Sequence, residues 1–200
     1  MRNPLNKTLW SIGLVVLGIG LVLLTLAFYT QIGDPISIIL TVVGFTTAVI
    51  FFFTFCWASL SAIGYARLLS GKNVIARWHV SASDWDRFRA YDKIRAEGHP
   101  ALRNDIRIRK KTPPQGVDVI VGSHRIIVDG SYHHISSKPV AGRRINWINA
   151  PVDPECIEFP KVYSRGKSGT LDLTLRVPVP AAARAEGMKV WEFYVPKAKN

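Results

Sequence analysis

Residues Leu9–Tyr29, LWSIGLVVLGIGLVLLTLAFY, and Ile36–Ala66, ISIILTVVGFTTAVIFFFTFCWASLSAIGYA, contain no Asp, Glu, Lys, Arg or His. Crossing about 30 Å of hydrocarbon at 1.5 Å per residue takes about 20 apolar residues. The first stretch fits one crossing. The second is longer than one straight crossing requires, so it tilts or its last turns leave the bilayer. The expected helices cover about 9–29 and 36–63. Thr30-Gln31-Ile32-Gly33-Asp34-Pro35 between them reads as a turn, with Pro35 suited to open the next helix. The first stretch is too long for a signal-peptide core, no small-x-small cleavage site follows it, and a second span comes at once. Core helices of a soluble protein rarely run this long without a charged face.

Arg2 and Lys7 precede the first helix, the turn has Asp34 and no basic residue, and Arg67, Lys72 and Arg77 follow the second. The positive-inside rule then places both termini in the cytoplasm. Gly13, Gly18 and Gly20, with Gly44 and Ala48, are the small residues expected to let two antiparallel helices approach closely. Intramembrane charges mark ion paths and proton relays, and these spans carry none. A transporter built from these two helices alone is therefore not expected. Thr41, Thr46, Thr47, Thr54 and Ser59 are expected to bond to their own backbone.

The chain has 26 basic and 14 acidic residues. Setting aside Arg2, Lys7 and Asp34 leaves 24 and 13, a net of +11 after the turn. Anionic lipid of the cytoplasmic leaflet attracts such segments at about 1 kcal/mol per basic residue near the surface. The bilayer is thus the first partner expected, with anionic headgroups or an acidic protein as ligands and an oligomer as a further arrangement. No recognised nucleic-acid motif is present, and no nucleic-acid partner is expected. Cys56 and Cys156 fall in different compartments by this topology, so both are read as free thiols.

The domains expected are a hairpin, 1–71, and a basic cytoplasmic β-rich domain, 72–200. Val74–Val80 alternates as a strand. Ser81-Ala82-Ser83-Asp84 has a capping-box pattern, opening a helix to about Glu97 with Trp85, Phe88 and Tyr91 or Asp92 facing the core. Strands follow at 117–121, 125–128 and 131–135, the last two joined by Asp129-Gly130, a tight-turn signal. Further strands are expected at 145–149, 156–163 and 170–177. A short late helix is expected over 181–186, and Gly187 weakens it. The fold class is α+β: a mostly antiparallel sheet or small barrel with one early and one short late helix.

The hairpin, the Gly71-Lys72 linker, VIARWHV at 74–80, DWDRF at 84–88 and LRVPVPAAA at 175–183 together resemble bacterial inner-membrane proteins of largely unassigned function. The resemblance implies a small β-rich cytoplasmic domain, in some cases similar to the pleckstrin-homology fold. It implies no catalytic residues.

Chemistry-bearing motifs are sparse. Gly166-Lys167-Ser168 lacks the first glycine of a phosphate loop, since Lys161 stands there, and it lies between strands. His133 and His134 are adjacent on a strand, so they point to opposite faces and cannot share a metal. His79, His99 and His124 are scattered. No catalytic residue, metal site or cofactor is assigned, and the chain is read as a binding or interaction module rather than an enzyme. The one positive signal is basic: Arg103, Arg107, Arg109, Lys110 and Lys111, with Arg143 and Arg144, as a surface for anionic lipid or an acidic partner.

Overall fold

A computed structural model describes residues 4–28, 34–98, 103–106, 111–136, 145–148, 153–164 and 170–195. The chain divides into two compact units, Arg2–Ala66 and Arg67–Asn200. The division falls before the expected border at 71/72, because the second helix runs on to Leu69 and its last turn belongs to the second unit.

The first unit is a helical hairpin. α1 spans Pro4–Ala27 and α2 spans Asp34–Leu69. Both are long and apolar enough to cross a membrane, by length and composition. Hydroxyls inside them bond to the carbonyl one turn back, as Thr25 does to Leu21 (2.8 Å), Thr41 to Ser37 (2.8 Å) and Thr54 to Ile50 (3.0 Å). The helices meet backbone to backbone at Gly18. A Cβ there would lie 2.7 Å from the Gly44 carbonyl oxygen and 2.8 Å from the Ala48 nitrogen. Gly13 and Gly20, expected at the same contact, are not part of it: a Cβ at either would meet nothing within 4 Å. Their helical phase differs from that of Gly18, and a helix packs only one stripe at a time.

In the second unit, β1 (Val74–Val80) leads into α3 (Ala82–Gly98). The capping box forms as the sequence requires. The Asp84 amide donates to Ser81 Oγ at 3.1 Å, and Ser81 Oγ donates to the Asp84 carboxylate at 2.7 Å. α3 turns Trp85, Phe88 and Asp92 inward. Fully burying a side chain such as Phe88 contributes about 1.5–3 kcal/mol.

β2 (Val117–Gly122), β3 (Arg125–Val128) and β4 (Ser131–His134) complete a four-stranded antiparallel sheet in the order β1-β2-β3-β4. Asp129 and Gly130 both have positive φ, 49° and 67°, as a two-residue hairpin turn of mirror-image type demands. A second antiparallel sheet holds β5 (Asn146–Ile148), β6 (Glu155–Ser164) and β7 (Thr170–Val179) in chain order. Its edge strand β7 tolerates Pro178, which has no amide to offer a neighbour. The Trp78 indole N–H on β1 donates to the Pro178 carbonyl on β7 at 2.9 Å, joining the two sheets.

The late helix starts later and runs further than expected. Ala181–Ala183 forms a tight turn, and α4 spans Arg184–Tyr194. Gly187 does not break it. A Cβ there would lie 2.7 Å from a Val179 methyl and 2.9 Å from the Trp147 ring, so glycine is what lets α4 lie this close. The Tyr194 hydroxyl then donates to the Gly122 carbonyl at 2.6 Å.

Candidate functional site

Alternation along β7 puts Arg176 on the face opposite Leu175 and Val177, where a strand exposed on that face would present it to water. Instead it is fully buried, because α3 and the segment 103–106 cover that face. Its guanidinium Nη1 donates to Asp92 on α3, and its Nε donates to Glu158 Oε1 on β6 at 2.7 Å. Asn104 donates to Asp92 at 3.1 Å and to the Arg176 carbonyl at 3.2 Å, while its Oδ1 accepts from the Arg176 amide at 3.0 Å. Arg95 adds a second cation, 3.4 Å from Glu158. Two arginines thus face two carboxylates. Burial pushes the Asp92 carboxyl above its ordinary range, with Arg176 pulling the other way. The group is a closed structural knot, since every strong donor of Arg176 is spent inside the fold.

A second cluster is centred on Asp105. The segment 103–106 lies beside β7, with the Asp105 amide donating to the Thr174 carbonyl at 2.7 Å. One carboxylate oxygen of Asp105 accepts from His133 Nδ1 on β4 at 3.0 Å, from Lys161 Nζ on β6, and from the Tyr163 hydroxyl at 3.0 Å. Although burial opposes ionisation, hydrogen bonds from His133 and Lys161 hold Asp105 well below the usual carboxylate range. Burial pushes the His133 imidazole down, so it stays neutral near pH 7. A carboxylate can only accept, so the proton sits on Nδ1 and Nε2 carries a lone pair. That Nε2 is buried without a hydrogen-bond partner. An Asp–His pair of this geometry orients an imidazole as a base. The Cys156 thiol lies among Arg176, Glu158, Asp92 and Arg95 rather than here; burial pushes its pKa far up, and it donates weakly to the Pro154 carbonyl at 3.4 Å. Among the described residues, no group of three or more His, Cys, Asp or Glu side chains is placed to hold a metal ion.

The sequence-derived basic surface is only partly visible. Arg103 and Lys111 are exposed. Arg103 sits beside β7, and Lys111 precedes Thr112, which bonds to Asp86 and Arg89 on the first turns of α3. Arg107, Arg109, Lys110, Arg143 and Arg144 lie outside the described residues, as do His99 and the loop 165–169. His133 and His134 do point to opposite sides, one buried and one exposed. Sequence reasoning missed Asp92, Arg176 and Asp105 as network members. The one available signal was Asp92, which falls on the aromatic stripe of α3 where a solvent-facing carboxylate would not.

Comparison with family models, with curated proteins and with solved structures found no match.

Proposed function

We propose that this chain is a membrane-anchored, non-enzymatic binding module. In this reading α1 and α2 cross the bacterial inner membrane as a hairpin, both termini are cytoplasmic, and the β-rich unit is held at the cytoplasmic face, where it binds anionic headgroups or an acidic protein. The observation that carries the reading is the surface of the hairpin. Only 17% and 11% of the most apolar windows of the two helices are buried, and Trp10, Phe53 and Trp57 are 74%, 69% and 71% exposed. Core helices of a soluble protein would bury those faces, and apolar patches this large mark membrane or partner contact.

Extraction and topology test it. The protein should resist alkaline extraction and partition with detergent. On a Cys56→Ser background, a cysteine at position 83 should react with an impermeant thiol reagent only after the inner membrane is opened. Release by alkali, or labelling in intact cells, would contradict the reading.

A second reading, an accessory or oligomeric subunit using the hairpin as its interface, is favoured by the open, Cβ-free positions at Gly13 and Gly20 on α1. Recovery of monomer alone in mild detergent would count against it.

A further inference from the structure

The ends of the C-terminal unit differ in how their charges are spent. At the end where β1 finishes and α3 begins, charged side chains are largely paired. Arg87 bridges Asp84 and Asp153, the latter at 2.8 Å. Arg89 meets Asp86 at 3.2 Å and Arg184 meets Glu155 at 3.5 Å. Further along β1, Arg77 and His79 share Asp118.

The other end is where α2 enters the unit. Leu68, in the last turn of α2, packs against Gly122, since a Cβ on that glycine would lie 2.5 Å from the Leu68 side chain. Gly122 opens the turn between β2 and β3, and Val74 pairs beside it. This end therefore carries Arg67 and Lys72 from the helix exit, His124 and Arg125 from the turn, and His134, which pairs with Arg125. Arg67, Lys72 and Arg125 make no ion pair among the described residues. Arg125 instead lies over the Tyr132 ring, 5.7 Å from its centroid. Asp105, which reaches His133 beside His134, is already claimed by His133 and Lys161. Burial and then the positive charges of Arg125 and Lys161 push the His134 imidazole down.

We propose that this end of the domain, centred on Arg67, Lys72, His124 and Arg125, is a docking face for the anionic headgroups of the bilayer that α2 crosses. The proposal rests on the membrane reading above and adds which face docks and on what. Continuity of the chain puts this end nearest the helix exit, and charge complementarity selects anionic over neutral lipid. The attraction reaches about 8 Å at physiological salt, so docking requires this face to lie close to the headgroups. At the far end Arg87, Arg89 and Arg184 are paired, and among the described residues there only Lys111 is an exposed cation without an ion pair.

The test uses the full chain in nanodiscs of phosphatidylcholine, with or without phosphatidylglycerol. A fluorophore is placed on Ser123→Cys at the docking face or on Ser83→Cys at the far end, each on the Cys56→Ser background, and headgroup-spin-labelled lipid is the quencher. Quenching at position 123 should exceed that at 83, should rise about twofold or more with anionic lipid, and should fall back at high salt. The Lys72→Glu/Arg125→Glu double variant should lose the anionic-lipid increment while staying in the disc. Equal quenching at both positions, or quenching at 123 that ignores lipid charge, overturns the docking face and leaves the membrane anchor standing. A chain that elutes free of lipid discs overturns the membrane reading and this proposal with it.

Discussion

Arg176 and Arg125 are arginines on strands of the same domain in opposite circumstances. Arg176 is fully buried and its donors are spent on Asp92, Glu158 and Thr174. Arg125 is half-buried, makes no ion pair and rests on a tyrosine ring. The same contrast separates Gly18, whose missing side chain is filled by another helix, from Gly13, which faces open space. In each pair the covered residue is explained by what touches it. Of the open ones, Arg125 has a tyrosine in place of a carboxylate and Gly13 meets nothing within 4 Å, and that is where function is worth seeking.

Mutations can break this contrast at its strongest point first. Arg176→Ala leaves two buried carboxylates without their main partner and should cost about 3–5 kcal/mol, read as the shift of the urea midpoint of the second unit in detergent. Adding Asp92→Asn should restore part of that loss, whereas a surface role for Arg176 would make both changes small. In the hairpin, Gly18→Leu drives a side chain into the Gly44 and Ala48 backbone and should cost about 1–3 kcal/mol in helix–helix association. Gly13→Leu should leave that association unchanged, and an equal loss from both would dissolve the distinction.

The Asp105 cluster sharpens the comparison through pH. His133 and Asp105 both have folded-state pKa values below their unfolded ones. A depressed group contributes stability that is present above its unfolded pKa and lost as pH falls towards the folded one. Stability should therefore decline below about pH 6.5 as His133 is forced to charge, and again below about pH 4 as Asp105 takes up a proton. Unfolding midpoints of wild type and His133→Gln across that range check it: the variant should show a smaller first decline, with His134 supplying the remainder, and keep the second. The smallest effect is expected at the open end. Arg125→Gln and Lys72→Gln should change stability by no more than about 0.5 kcal/mol, as surface substitutions do.

Much of the layout was legible because it is local. The charge-free stretches, the Ser81–Asp84 cap, the Asp129-Gly130 turn and the alternation of Val74–Val80 each act within a few residues. The networks were not legible for the same reason. Arg176 meets Asp92 across 84 residues and Glu158 across 18, and nothing in LRVPVP tells a solvent arginine from one that will be roofed over. Gly187 misled because glycine is read as a helix breaker, while its role is to let α4 lie against Val179 and Trp147. Lys161, whose partner lies 56 residues away in the chain, is paired with Asp105.

The bond from the Trp78 indole to the Pro178 carbonyl has a mechanical consequence. β1 is the first strand reached from α2, so a pull on the chain at Leu69 enters the domain at Val74. β1 is also an edge strand, zipped along one side to β2. On its other side, Trp78 ties it to the last strand of the second sheet. The load is therefore shared between the two sheets at the first strand it meets. Trp78→Phe keeps the ring and removes the tie, and it should lower the unfolding force when the domain is pulled from its N-terminal end.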